Sequence, residues 1–127
     1  MVDAIEEFGL RVRGARYRLR PGGYVILRND AGHIAVIVTR RGAFLPGGGQ
    51  NRAEAPELAA MREALEECGL IVRLDCLVGV ADELVYGEEE RTYFRKRCSF
   101  YTATVLDHDA HSVPEQAMTW IRPNPES

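Results

Sequence analysis

No apolar stretch in this 127-residue chain is long enough to cross a bilayer. The longest, about Ile34 to Val38, falls far short of the roughly 20 residues that a spanning helix needs. The acidic opening from Met1 to Glu7 lacks the basic and apolar regions of a signal peptide, so a cytoplasmic protein is expected. Cysteine is sparse: Cys68, Cys76 and Cys98 show no C-x-x-C spacing, and an odd number cannot all pair within one chain, which leaves reduced thiols as the simple reading. An excess of positive charge is missing as well. A net charge of −3 and a pI near 5.6 provide no global attraction for nucleic acid or an anionic membrane, so any anion must be bound locally. Lysine is reduced to one residue against fifteen arginines, an imbalance that genome composition explains as readily as function. There is no internal repeat and no low-complexity segment. With 46% apolar residues, a single domain over residues 1–127 with a real core is expected.

Against this background one segment carries chemistry: Gly48-x5-Glu54-x7-Arg62-Glu63-Ala64-Leu65-Glu66-Glu67-Cys68-Gly69-Leu70. Pro56 suits the first position of a helix, where its missing N–H costs nothing, and Gly69 suits the left-handed residue just past the end. The helix is therefore expected from about Pro56 to Cys68. At about 100° per residue, Glu63, Glu66 and Glu67 share one arc, while Leu58, Met61, Leu65 and Cys68 fall on the other side to pack. Cys68 then reads as a small buried hydrophobe, not a nucleophile. Three ionised carboxylates on one face raise one another's pKa, and a dication reverses that penalty. Hard oxygen donors suit Mg2+, with Mn2+ as a substitute, and Mg2+ commonly enters with substrate phosphates, so a phosphorylated substrate is expected. Pro46-Gly47-Gly48-Gly49 reads as a loop whose backbone can approach a metal or ligand closely. Ala55 occupies the position where a capping hydroxyl or carboxylate is usual.

This constellation resembles the Nudix box, Gly-x5-Glu-x7-Arg-Glu-U-x-Glu-Glu-x-Gly-U with U a bulky aliphatic. All seven fixed positions match, and Ala64 stands where a larger aliphatic is usual. With each fixed type at roughly one residue in fifteen, the chance of such a match is on the order of one in a hundred million per start position. The resemblance implies hydrolysis of a nucleoside diphosphate linked to another moiety, with metal held by Glu66 and Glu67. Glu63 would be a further ligand or the group that orients or deprotonates water, an alternative the sequence leaves open. Arg62 would hold a carboxylate in place, Glu54 would support or act as an outer ligand, and a carbonyl of Gly47 or Gly48 would complete the metal shell. Glu115, five residues before Trp120, is implied as a ligand from a loop, as in the MutT-like branch. That spacing and the short chain lean toward a nucleoside triphosphate substrate, such as an oxidised nucleotide. Dinucleoside polyphosphates, ADP-ribose and nucleotide sugars are the alternatives. A non-catalytic nucleotide sensor and a prenyl diphosphate isomerase are the readings of other kinds.

Tyr24–Arg28 and His33–Thr39 read as a β-hairpin joined through Asn29-Asp30-Ala31-Gly32. Ile71–Ala81, Thr92–Val105 and Met118–Ile121 read as further strands, and Tyr86–Arg91 and Asp107–Pro114 as loops. The fold class expected is α/β (α+β), resembling the Nudix α/β/α sandwich around a mixed sheet. The helix that commonly closes that fold has no room after Trp120. Cover would come from the segment Asp3 to Phe8, from a homodimer, or not at all in a shortened chain. Arg40 and Arg41 are candidates for a phosphate or a base, against an ordinary solvated strand end. Phe44, Tyr86, Tyr93 and Phe94 are candidates for stacking on a base, against a place in the core. The basic run Arg11, Arg13, Arg16, Arg18, Arg20 fits an exposed strand edge better than a nucleic-acid surface. Glu88-Glu89-Glu90 reads as a solvated turn, with a catalytic base as its functional reading, and His33, His108 and His111 have no ligand spacing.

Overall fold

The computed structural model describes residues 5–109 and 117–123. Two sheets enclose one helix among the described residues. The larger sheet has five strands in the order β1-β6-β7-β2-β5: β1 (Glu6–Phe8), β6 (Leu70–Gly87), β7 (Thr92–His108), β2 (Tyr17–Leu27) and β5 (Gly47–Gly49). It is mixed, since β1 runs parallel to β6 and β2 parallel to β7, while β6–β7 and β2–β5 are antiparallel. The smaller sheet is antiparallel, β4-β3-β8, with β3 at Ile34–Thr39, β4 at Gly42–Phe44 and β8 at Ala117–Ile121. The helix α1 spans Pro56–Cys68 as expected, with proline in its first turn and Gly69 left-handed at φ 70°. The mixed α+β architecture is thus the one expected, and no described helix is long and apolar enough to cross a membrane.

Several expectations change. The hairpin of Tyr24–Arg28 with His33–Thr39 is not formed: β2 and β3 belong to different sheets and meet only at the Arg28–Ile34 bridge. Asn29 makes this switch, its Oδ1 accepting the N–H groups of Ala31 and His33, so the chain turns without continuing a ladder. Gly47–Gly49 is not a loop but a strand, paired with Gly22–Tyr24. Of the segment expected to cover a sheet face, Asp3 to Phe8, Asp3 and Ala4 lie outside the described residues and Glu6–Phe8 form the edge strand β1. Tyr86 belongs to β6 and Asp107 to β7, so the turn between those strands is reduced to four residues, Glu88 to Arg91. The smaller sheet's own core strand, β3, reads correctly, and Arg18 and Arg20 do sit on a stretch of β2 that β5 leaves unpaired.

The core lies where α1 meets both sheets. Val25 and Leu27 of β2, Ala35 and Ile37 of β3, Leu70 and Val72 of β6 and Tyr101 of β7 close around Ala60, Ala64 and Cys68 of the helix. The packing stripe is therefore alanine and cysteine, and Leu58, expected to pack, is 54% exposed. The reason is proximity. A Cβ on Gly23 would run into the carbonyl oxygen of Pro56 and lie 3.0 Å from the Ala60 Cβ, so only small residues fit where helix and strand meet. Ala64, the one soft departure from the box pattern, is fully buried in this seam. Burial raises the Cys68 thiol to about 11, which keeps it protonated and inert. Cys76 is exposed, Cys98 buried, and all three are free.

A buried carboxylate ties the far edge of the larger sheet. Asp82 is 1% exposed and accepts from Arg95 and from both Nε and Nη2 of Arg97 at 3.0–3.1 Å, while Arg95 also reaches Glu7 of β1 at 2.9 Å. Hydrogen bonds from Arg97 and then Arg95 outweigh desolvation and hold the Asp82 carboxyl below its ordinary value. A carboxyl lowered in this way stabilises the fold above its unfolded value of about 3.9 and loses that contribution as pH falls through the lower, folded value. Asp82→Asn is expected to lower stability by about 2 kcal/mol at pH 7 and to flatten the acid limb below about pH 4, read by urea unfolding across pH. Gly23→Ala is expected to cost about 3 kcal/mol in the same assay at pH 7, because neither backbone in the seam can retreat.

Candidate active site

The glycine strand β5 is the edge of its sheet, yet two of its outward groups find partners on the helix. Pro46 O, Gln50 N and the Gly48 position face β2, so Gly47 and Gly49 turn their polar groups the other way, toward α1. There the helix's side chains stand in for a missing strand: the Gly47 N–H donates to Glu67 Oε1 at 2.8 Å, and the Gly49 carbonyl accepts from Arg62 Nη2 at 3.1 Å. Gly48 lies between them against Glu63, and a Cβ there would come within 3.0 Å of the Glu63 carboxyl carbon. A side chain at Gly48 would thus push the Glu63 carboxylate from its place.

Arg62 organises the acids. Its Nε and Nη2 fork onto the two oxygens of Glu54 at 2.8 and 2.9 Å, a bidentate contact, and its Nη1 reaches Glu63 at 2.7 Å and Glu66 at 3.1 Å. Both Arg62 and Glu54 are mostly shielded, at 24% and 14% side-chain exposure. The Glu54 hydrogen bond, the strongest influence on Arg62, raises its already high pKa, and the same contact lowers the Glu54 carboxyl, helped by the Asn51 N–H. One cation therefore offsets the mutual repulsion of several carboxylates and leaves Glu66 the most exposed of them, at 42%. Among the described residues no three acidic, histidine or cysteine groups converge as a ready cage; the acids are instead spread along the guanidinium and the strand. Their donor chemistry nevertheless fits a hard divalent ion: carboxylate oxygens from one helix face, beside main-chain carbonyls of a glycine strand.

The structure brings together Glu54, Arg62, Glu63, Glu66, Glu67, Gly47 and Gly48, as the spacing implied. Glu115 lies outside the described residues; Trp120 pairs with Ala35 and packs against the core. The other candidates are scattered. Arg40 and Arg41 form the exposed turn between β3 and β4, where the Arg41 N–H bonds only Thr39 Oγ1. Tyr86 does not join Phe44. It packs on Tyr93 at 4.8 Å between ring centroids, and Tyr93 packs on Tyr17 at 5.5 Å, so these rings support the end of the β6–β7 hairpin. Phe94 lies beneath Arg20, its centroid 5.1 Å from the guanidinium carbon. Glu90 of the acidic turn pairs with Arg20 at 3.1 Å. Phe44 alone of the aromatic set lines a pocket of about 430 Å³ beside the glycine strand.

That pocket exposes residues missed in the sequence. Tyr24, Phe8 and Phe100 line it with Phe44 and Leu45, and the Tyr24 and Phe100 rings meet at 5.7 Å. Strand alternation was the available signal: Val25 and Leu27 face the core, so Tyr24 must face away from it. Tyr24 also lies against Gly47, where a Cβ would strike its ring, so the aromatic pocket and the acidic helix face share one glycine. Just before α1, Ala53 holds φ at 64°, a left-handed conformation that costs an alanine about 1 kcal/mol. Ala53→Gly is expected to raise stability by about 0.5 kcal/mol, part of the relief being lost to the unfolded chain's greater freedom, as measured by the shift in urea midpoint.

The chain matches the model of the NUDIX domain over residues 18–124. It is 32% identical over 75 residues to a protein of Bacillus subtilis (strain 168) named "Putative 8-oxo-dGTP diphosphatase", a match that covers 58% of this chain and 50% of that one. The chain thus spans about half the length of that curated relative. Among solved structures it resembles a MutT NUDIX hydrolase from Burkholderia pseudomallei, with a TM-score of 0.61 at 24% identity over 85% of this chain and 89% of that one. An ADP-ribose pyrophosphatase from Streptococcus suis 89-1591 gives a TM-score of 0.59 at 17% identity, over 81% and 73% of the two chains. These structures share the fold with the chain.

Proposed function

The chain belongs to the Nudix domain family, and from that premise we propose that it is a metal-dependent pyrophosphohydrolase cleaving a nucleoside diphosphate linked to another moiety. The observation that carries this reading is the Arg62-knit carboxylate face of α1, set against β5 with an aromatic pocket on the same glycine strand. Glu63, Glu66 and Glu67, with a main-chain carbonyl at Gly47 or Gly48, would hold Mg2+ or Mn2+, and Glu115 is a further candidate ligand. A bound ion would neutralise diphosphate oxygens and stabilise the leaving oxygen, the main demands of such a displacement.

The chain's own residues do the rest. Arg62 fixes Glu54 and Glu63 in a shielded setting, so the acids are positioned before substrate arrives and little reorganisation is needed. Gly47 holds Glu67 through its N–H, which aims the carboxylate along the strand. Glu63 is either a ligand or the group that takes the proton of the attacking water. Tyr24, Phe44 and Phe100 offer flat apolar surface on which a base can stack. The preferred substrate is a nucleoside triphosphate, an oxidised nucleotide included, in keeping with the name of the Bacillus subtilis relative. Dinucleoside polyphosphates, ADP-ribose and nucleotide sugars are the alternatives, in keeping with the Streptococcus suis neighbour. We also place its action in the cytoplasm, on small molecules and not on nucleic acid.

Glu67→Gln keeps an oxygen acceptor for the Gly47 N–H while removing the charge. It is expected to lower kcat by roughly three orders of magnitude with the urea midpoint nearly unchanged. Phosphate or pyrophosphate release would be followed with Mg2+ across nucleoside triphosphates, dinucleoside polyphosphates, ADP-ribose and nucleotide sugars. Full activity in the variant would remove Glu67 from the metal site, and wild-type binding without turnover would favour a sensor.

A further inference from the structure

A second pocket, of about 460 Å³, opens at the other end of β5, past the last pair that strand makes with β2. Arg18 and Arg20 of β2 and Arg52 of the approach to α1 line it, together with Phe94 and Gln50. Three guanidinium groups face one carboxylate there, that of Glu90, which pairs with Arg20. Arg18 and Arg52 have no acidic partner among the described residues. Arg20 contacts Glu90 at 3.1 Å and lies over the Phe94 ring at 5.1 Å.

Position is a further feature that points to a ligand. A Cβ at Gly49 would lie 3.3 Å from Arg20 Nε, while the carbonyl of the same Gly49 accepts from Arg62. The basic pocket and the carboxylate face therefore adjoin one residue, as the aromatic pocket and that face adjoin Gly47 two residues away. Two strand residues span about 7 Å, close to the reach of a short phosphate chain.

We infer that the Arg18–Arg20–Arg52 pocket binds a phosphate group of the substrate that lies beyond the anhydride at the carboxylate face. Resting on the hydrolase reading, this narrows the substrate class to nucleotides that carry at least one phosphate past the diphosphate, with the base stacked at Tyr24 and Phe44. Guanidinium forks match phosphate geometry, and a pocket lined by several of them selects charge over a neutral sugar.

The test separates this subsite from the chemistry. Inorganic tripolyphosphate is titrated calorimetrically, without metal, into wild type, Arg18→Ala/Arg52→Ala and Glu67→Gln. Both arginines are exposed, so the double variant is expected to fold, which circular dichroism checks. The double variant is expected to bind about tenfold more weakly, while Glu67→Gln binds no more weakly than wild type. Unchanged binding in the double variant, equal loss in Glu67→Gln, or no binding by wild type would overturn the subsite. Hydrolysis gives the second arm: KM for a nucleoside triphosphate and for a dinucleoside tetraphosphate is expected to rise about tenfold in the double variant while kcat stays within about twofold. An unchanged KM, or a loss confined to kcat, would also overturn it. Failure of wild type to cleave any anhydride would instead sink the hydrolase reading, with the tripolyphosphate result still deciding whether the pocket takes phosphate.

Discussion

The docking of α1 on the glycine strand is the contact on which the rest depends. An edge strand of bare glycines has no side chains to pack and leaves one row of backbone groups without a strand partner. Here Glu67 takes the Gly47 N–H and Arg62 donates to the Gly49 carbonyl, so two side chains of the helix stand in for part of a neighbouring strand. The same two residues belong to the acidic face, and the fold cannot be satisfied without holding the site in shape. Close approach requires Gly23 on the strand and a residue as small as Ala60 on the helix.

Arg62 resolves the conflict that the acidic helix creates. Carboxylates gathered on one face repel, and a guanidinium that reaches Glu54, Glu63 and Glu66 together relieves that repulsion without removing the oxygen donors. Of the carboxylates that Arg62 reaches, Glu54 is shielded and Glu66 is open to solvent. The strand ends give the site direction: an aromatic pocket adjoins Gly47, and a basic one adjoins Gly49.

Much of the helix was readable from residue order alone. Pro56, Gly69 and the period of the acids define its ends and its charged face through local rules of backbone conformation, and they need no distant partner. Its packing face was read in part: Cys68 and Met61 pack into and against the core as expected, whereas Leu58 is exposed and Ala60 packs instead, against a glycine on β2 nearly forty residues earlier, a steric contact that helical phase does not contain. The hairpin expectation failed for a related reason: a turn at Asn29 is locally coded, but whether the next strand rejoins the same sheet depends on β8, more than eighty residues downstream. The aromatic candidates fared similarly. Tyr86, Tyr93 and Phe44 look alike in sequence, and only the β6–β7 register sends the first two to the far end of the hairpin.

Residue order by itself determined the helix, the clustering of Glu63, Glu66 and Glu67 on it, the proximity of Arg62 and the family resemblance, because a helix maps spacing directly onto direction. Tertiary structure alone decided that Gly47–Gly49 is a strand, that Arg62 serves four groups at once, and that Tyr24 and Arg20 flank the same acidic face from opposite ends. Those outcomes follow from which strands become neighbours, and neighbours are chosen by burial of the whole core and not by any short run of residues.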